Sequence, residues 1–177
     1  MDELVKHAMA KWPNVPDCYG WLGLDARGDW YMRDDHVQAL GSFPQHKGAK
    51  LAHDKLKAFI GRNYVCDAQG RWYFQNGPQR VFVELDITPW IWMLQPDGSV
   101  QAHTGIAVRA QRCFVDEPGH VYLETDVGFG LVHSQDVGVA AAHIESGLWV
   151  PQAVAQEDIP SRFGFVLSPQ KAFKPQA

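Results

Sequence analysis

Residues 67–74 read Asp67-Ala68-Gln69-Gly70-Arg71-Trp72-Tyr73-Phe74, and residues 25–32 match them at the Asp, Ala, Gly, Trp and Tyr positions, reading Asp25-Ala26-Arg27-Gly28-Asp29-Trp30-Tyr31-Met32. Asp suits the first position of a type I turn, and Gly at the fourth takes the left-handed conformation that closes a hairpin with a bulge. The Trp-Tyr pair then begins the return strand, with its side chains on opposite faces. Both stretches are therefore predicted to be β-hairpins.

A weaker copy of this hairpin signal lies at residues 116–123, and Pro96-Asp97-Gly98-Ser99 is another turn of the same general kind. A propeller or repeat array needs a regular series of units, which two good copies and one weak copy do not supply. The pattern favours two related modules packed together. We place the N-terminal module at residues 1–61, a C-terminal antiparallel module with one helix at 62–167, and a frayed tail at 168–177.

Hydrophobic periodicity and turn residues predict the remaining elements. Helices are expected over Asp2–Ala10, Lys47–Ile60 and about Asp136–Glu145. Short strands separated by Gly, Pro and Asn turns fill residues 62–132, and a last strand is expected at Arg162–Leu167. Because short loops join neighbours in sequence, most pairing should be antiparallel. The predicted class is α+β, mainly antiparallel hairpins and sheets with two or three helices and duplicated hairpin modules.

The composition excludes several classes of protein. The chain has 177 residues, 46% of them hydrophobic and 20% charged, with a formal net charge of -4. It is apolar enough to bury a core and lacks the clustered positive charge of a dedicated nucleic-acid binder. Charged residues interrupt residues 1–10, unlike a signal peptide, and no apolar run approaches the roughly 20 residues that cross a bilayer. Three cysteines without a C-x-x-C pair favour reduced thiols. We expect a cytoplasmic protein.

The common catalytic motifs are absent from the sequence. It has no G-x-S-x-G elbow, no P-loop and no H-E-x-x-H helix. Gly128-Phe129-Gly130 begins like a dinucleotide fingerprint, but His133 stands where the third glycine belongs. The acidic pairs Asp34-Asp35 and Asp116-Glu117 lie beside turns, where solvated acids are ordinary. We assign no catalytic residue and expect no cofactor.

The histidines raise the alternative of a metal site or a histidine-based enzyme. His133, Asp136 and His143, together with His103, could supply nitrogen and oxygen ligands to one metal. The spacing between His133 and His143 matches no compact ligand pattern of zinc or iron sites. Ordinary surface or hydrogen-bonded histidines are therefore favoured, and no metal is expected.

Aromatic and polar residues on the predicted strands supply the candidate ligand-binding set. Strict alternation over Gln79–Asp86 places Arg80 and Glu84 on one face, and Trp90 and Trp92 share a face of the next strand. The tryptophans either pack the core or line a pocket with a few polar groups. The candidate site residues are Arg80, Glu84, Trp90, Trp92, His103 and His133.

The first hairpin, the second copy within residues 64–80, and the stretch Val83-Glu84-Leu85 followed by Thr88-Pro89-Trp90 resemble an uncharacterised proteobacterial family, a domain of unknown function. The resemblance covers most of the chain. In layout, the chain is also weakly similar to another bacterial family of unknown function with two small α+β modules, suggested to act in ligand binding or signalling. Neither family implies a catalytic residue. The resemblance implies a bacterial cytoplasmic protein of two related modules.

These observations lead to three functional expectations. The leading one is a non-enzymatic module that binds a small molecule or has a regulatory role, using the aromatic and polar face between the two modules. The second is a protein–protein interaction adaptor or homodimer that docks through exposed Trp and Phe residues. The third is an enzyme of unfamiliar type built around His103, His133 and His143. No nucleic acid or membrane is expected as a partner.

Overall fold

The computed structural model describes residues 1–173. The chain forms two compact units. The first comprises residues 1–25, 29–86 and the chain from Gly164 onward, and the second comprises residues 26–28 and 87–163. Each unit is built on one mixed β-sheet with helices, so the α+β prediction is confirmed.

The first unit contains a six-stranded sheet with the order β3-β2-β1-β6-β5-β4. Its strands are β1 Cys18–Leu24, β2 Trp30–Met32, β3 Ala49–Lys50, β4 Tyr64–Cys66, β5 Trp72–Asn76 and β6 Gln79–Leu85. Its helices are α1 Glu3–Lys11, α2 Asp35–Leu40, α3 Asp54–Arg62 and α6 Pro169–Ala172. β1 and β6 pair in parallel, and the other pairs of this sheet are antiparallel.

The second unit contains a seven-stranded sheet with the order β13-β10-β11-β12-β7-β8-β9. Its strands are β7 Trp90–Leu94, β8 Val100–Ala102, β9 Ala107–Val108, β10 Ala110–Val115, β11 Val121–Thr125, β12 Gly128–Val132 and β13 Pro151–Ala153. Its helices are α4 Val137–Glu145 and α5 Ile159–Phe163, each preceded by a short 3-10 turn. None of the helices in residues 1–173 combines the length and the hydrophobicity that a transmembrane helix requires.

Three tight turns in the sheets share one geometry. In each, the backbone N–H of an Asp donates to the carbonyl of the residue four positions later, and the Oδ1 of that Asp accepts the N–H of the same residue. The glycine at the fourth position has a positive φ in all three. The turns begin at Asp25, Asp67 and Asp116. The two predicted hairpins therefore form, and the descent of two modules from one duplicated unit stays a prediction.

Helix prediction was right in kind and wrong at some boundaries. The helix predicted over Lys47–Ile60 begins only at Asp54, because Ala49 and Lys50 extend the sheet as β3 and His53 caps the helix by accepting the Leu56 N–H on Nδ1. The helix predicted near residues 136–145 is α4. The structure also contains several short helices that the sequence pattern does not predict, so it has more helices than the two or three expected.

The C-terminal segment differs most from expectation. The strand predicted at Arg162–Leu167 does not form: α5 extends to Phe163, and Gly164 turns the chain at φ 70°. Where a frayed tail was expected from Ser168, the structure has α6, because Ser168 Oγ accepts the Lys171 N–H and Pro169 suits the first turn. Residues 174–177 lie outside the described chain. The compact units are bounded at Asp86 and Gly164 rather than near residue 61, because β6 joins β1 and β5 in one sheet.

Candidate functional site

A cleft of about 420 Å³ opens in the first unit. One wall is formed by the end of α1 and the connection that leads from it to β1, and the other by the hairpin of β5 and β6. Its lining residues are Met9, Trp12, Pro13, Val15, Asp17, Tyr73, Gln75, Pro78 and Arg80. The cleft therefore combines aromatic and proline surfaces with a few polar groups.

The strand register brings the polar groups of the hairpin to one face. Gln75 on β5 lies directly opposite Arg80 on β6, and Tyr73 precedes Gln75 by two residues. Opposite residues of an antiparallel pair, and residues two apart on one strand, point to the same face of a sheet. The three side chains therefore stand together on one side of the sheet, where α1 and its connection cover them.

Asp17 and Arg80 form a bidentate ion pair in the cleft. Arg80 Nε donates to Asp17 Oδ1 at 2.8 Å, and Nη2 donates to Oδ2 at 2.7 Å. The guanidinium also lies over the Tyr73 ring, 5.6 Å from its centroid. Burial raises the pKa of Tyr73, so its hydroxyl keeps its proton at neutral pH. Nη1 of Arg80 makes no hydrogen bond within residues 1–173 and can donate to a ligand.

The side-chain oxygen of Gln75 lacks a hydrogen-bond donor within the described residues. Its side chain is almost completely buried, and its Nε2 donates to the Gly77 carbonyl at 2.9 Å. Within the described part of the chain, its Oε1 is buried without a hydrogen-bond partner. A buried acceptor left unpaired costs about 1–3 kcal/mol. A lining residue with such an acceptor marks a place where a ligand or an ordered water can donate.

Glu84 lies in the same unit as Arg80 but outside the cleft. Its Oε1 accepts the N–H of Gln170 at 3.0 Å, at the start of α6. Burial raises the pKa of the carboxyl above its ordinary value, although this hydrogen bond and one with Ser168 oppose the shift. The contacts of Glu84 thus anchor the C-terminal helix.

Trp90, Trp92 and His103 form one buried cluster in the second unit. The two indole rings stack with centroids 5.8 Å apart, and the His103 ring lies 5.7 Å from that of Trp90. Trp92 Nε1 donates to the Leu123 carbonyl at 3.0 Å. His103 Nδ1 accepts the Ile91 N–H at 3.3 Å, and burial lowers the pKa of His103 to about 3. The tryptophans therefore pack a core around a neutral histidine.

His133 caps the segment that leads into α4. Its N–H donates to the Trp92 carbonyl at 2.8 Å, and its Nδ1 accepts the Gln135 N–H at 3.1 Å. No three His, Cys, Asp or Glu side chains within residues 1–173 come together as a metal-binding group, so the shared-metal alternative finds no support. Of the six candidate residues, Arg80 and Glu84 lie in the first unit and the other four in the second. These two sets belong to units with different sheets, and ligand binding by the six residues stays a prediction.

Of the residues that line the cleft, the sequence names only Arg80 as a candidate. Tyr73 and Gln75 could have been found, since a two-residue loop at Gly77-Pro78 pairs Gln75 with Arg80 and places Tyr73 on the same face. Asp17 and Trp12 lie in a connection without periodicity, and Asp17 meets Arg80 across 63 positions of sequence. No local pattern signals such a contact.

Comparisons with known proteins identify a family. A family model described as "Protein of unknown function (DUF2946)" matches residues 1–170. Among solved structures, a DUF1285 family protein from Shewanella baltica OS155 aligns over 69% of this chain and 91% of its own, with 17% identity and a TM-score of 0.46. Another from Silicibacter pomeroyi DSS-3 aligns over 76% and 80%, with 13% identity and a TM-score of 0.47. No curated protein matches the chain. The family match spans nearly the whole sequence, and the chain belongs to the DUF2946 family of unknown function.

Proposed function

We propose that the protein binds a small, neutral, planar molecule in the cleft of its first unit. The observation that carries this proposal is the buried Oε1 of Gln75, an acceptor without a partner in the described chain, on a residue that lines the cleft beside the Asp17–Arg80 pair. A volume of about 420 Å³ lies within the range of ordinary ligand sites, roughly 300–1,000 Å³.

The chemistry of the lining defines the ligand. Asp17 already neutralises Arg80, so an anion would gain little from the guanidinium and would be repelled by the carboxylate. Tyr73 and the half-exposed Trp12 offer aromatic faces. A ligand that accepts from Arg80 Nη1, donates toward Gln75 and stacks on a ring fits these groups. Aromatic amides and amide-bearing heterocycles have this combination.

Benzamide is a suitable probe, and saturation-transfer NMR is a suitable measurement. We expect benzamide to bind with a dissociation constant on the order of 1 mM, as befits so small a ligand, and benzoate to bind more weakly because of Asp17. Arg80→Ala should reduce the benzamide signal severalfold. Equal signals for the wild type and Arg80→Ala would contradict the proposal.

A matched control is available in the second unit. Arg112 pairs with Glu124 and lies 5.6 Å from the Phe114 ring centroid, which reproduces the ion pair and ring contact of Arg80 outside the cleft. Arg112→Ala should therefore bind benzamide like the wild type. Since Arg80 also holds the connection through Asp17, circular dichroism and melting temperature must show that Arg80→Ala is folded before its binding is compared.

A second proposal, protein–protein contact, rests on a different observation. Leu148 and Val150 are 62% and 77% exposed, and they directly precede β13, an edge strand of the second sheet. Exposed apolar residues beside an edge strand favour association with another chain. Light scattering across a range of concentrations tests this, with Leu148→Asp and Val150→Asp expected to abolish any dimer. A monomer at every concentration would contradict self-association.

A further inference from the structure

The three Asp turns differ in what the second carboxylate oxygen binds. In each turn Oδ1 accepts the backbone N–H, which leaves Oδ2 for a side chain. The donors to Oδ2 include Lys47 Nζ at 3.0 Å for Asp25, Arg71 Nε at 2.7 Å for Asp67, and His120 Nδ1 at 2.9 Å for Asp116. Lys and Arg stay charged at neutral pH, whereas imidazole can take up and release a proton. The third turn therefore holds a group that can do proton-transfer chemistry.

Asp116 orients the imidazole of His120. The Asp116 side chain is fully buried, and its Oδ2 also accepts the Tyr122 hydroxyl at 2.8 Å. Burial by itself raises the pKa of Asp116, but the hydrogen bonds from His120 and Tyr122 outweigh it and hold the pKa below its usual value. An ionised carboxylate can only accept, so the neutral imidazole carries its proton on Nδ1. Nε2 is then the basic nitrogen.

The imidazole lines a small pocket. His120 is 43% exposed, and within residues 1–173 its Nε2 makes no hydrogen bond. The pocket has a volume of about 140 Å³, and a cavity of about 150 Å³ can hold one benzene. Most of its lining is apolar, from Ile87, Val121, Leu131, Val132 and Val137, with Ser134 and Arg27 as polar members. This space suits a small acyl group next to a base.

We propose that His120, oriented by Asp116, is a general base that hydrolyses small esters in this pocket. Nε2 takes a proton from a water molecule as the water oxygen attacks the carbonyl carbon. The resulting imidazolium stays paired with Asp116. Nε2 then returns the proton to the leaving oxygen as its bond to the carbonyl carbon breaks, which yields a carboxylic acid and an alcohol. No metal or redox partner takes part.

The hydrolysis of p-nitrophenyl acetate by the full chain tests this inference. General-base catalysis accelerates a reaction about 10²–10⁴-fold. After the spontaneous rate is subtracted, the hydrolysis rate of His120→Gln should therefore be at least tenfold lower than that of the wild type. His36→Gln is the matched control, since His36 is exposed and has no carboxylate partner in the described chain. Equal rates for the wild type and His120→Gln at every pH would overturn the proposal.

The variant Asp116→Asn separates orientation by Asp116 from a purely structural role. The amide keeps an oxygen that can accept the His120 N–H, but it loses the negative charge that faces the imidazolium formed in the reaction. The kcat for p-nitrophenyl acetate should fall at least severalfold while the KM stays near that of the wild type, because the pocket lining is unchanged. An unchanged kcat in a folded variant would refute the positioning role, and the His120→Gln comparison carries the test if the variant does not fold.

Discussion

His103 is a histidine whose titration is changed strongly by burial. Its pKa falls from 6.5 to about 3, so the folded state binds this proton far less readily than the unfolded chain does. Its contribution to stability is complete above about pH 6.5 and is lost as the pH falls toward 3. We expect the melting temperature to drop between pH 8 and pH 5, and the drop to shrink in His103→Asn, whose carbonyl can still accept the Ile91 N–H. His36→Asn is the control, and an equal drop in His103→Asn and the wild type would contradict this expectation.

Glu84 gives a prediction of the opposite sign. Burial raises its pKa above 4.5, so the folded state holds this proton more tightly than the unfolded chain does. The stability that Glu84 contributes is present below about pH 4.5 and is lost as the pH rises through the folded-state pKa. Glu84→Gln carries no charge, and its Oε1 can still accept the Gln170 N–H. Melting temperatures should show the variant gaining on the wild type from pH 4 to pH 7, whereas the exposed Glu145→Gln should not gain; a constant difference for Glu84→Gln would sink this account.

At the scale of an element, the hairpin turn at Asp67 depends on Gly70. Its φ is 78°, and an added Cβ would run into the Gly164 carbonyl oxygen. Gly77 also has a positive φ, 56°, but an added Cβ would only touch Ala8 at 4.0 Å. Urea unfolding should therefore show a cost of about 1–2 kcal/mol for Gly77→Ala, from backbone strain alone. Gly70→Ala should lower the free energy of unfolding by roughly 2 kcal/mol more than Gly77→Ala, because the backbone at Gly164 must also move. Equal losses for the two variants would show that the backbone at Gly164 moves away from the added Cβ without a free-energy cost.

Elements were predictable from sequence where local chemistry decides them. The turns at Asp25 and Asp67 follow from residues within five positions, and α4 was expected from the capping residues before it and Gly147 after it. β3 displaced the start of the predicted Lys47–Ile60 helix because its pairing with β2 is a tertiary contact that outweighs helix propensity. Only part of the cleft could be predicted, because its two walls come from distant segments. The alternation of the strand identifies Arg80 as a polar residue on one face, whereas only the folded chain brings Asp17 to it.

At the scale of the whole molecule, the chain returns to its first unit at the C-terminus. Leu85 N–H donates to the Leu167 carbonyl at 2.8 Å, and Val166 N–H donates to the Gly70 carbonyl at 2.9 Å. Phe173 stacks on Tyr19 with centroids 4.5 Å apart. The sequence does not predict these contacts, because the patterns that indicate strands and disordered tails involve residues close together in the chain. The contacts themselves join segments that are far apart in sequence.

Removing the segment after Phe163 should therefore destabilise the first unit. The truncated chain loses the partner of the Leu85 amide, the hydrogen bonds of Glu84 with α6 and the ring stack on Tyr19. We expect a lower melting temperature and faster hydrogen exchange at Leu85. Phe173→Ala, which removes only the ring stack, should produce a smaller loss. Unchanged exchange at Leu85 in the truncated chain would show that the closing segment contributes nothing to this sheet.

The central claim is that the cleft of the first unit is a ligand site, and a benzamide titration followed by ¹H–¹⁵N NMR tests it most directly. The probes are the Trp12 indole N–H, the Arg80 Nε–H and the Gln75 side-chain amide, all on residues that line the cleft. The account predicts that these three signals shift together and saturate with one dissociation constant. Signals that stay in place while benzamide binds elsewhere in the protein would contradict it.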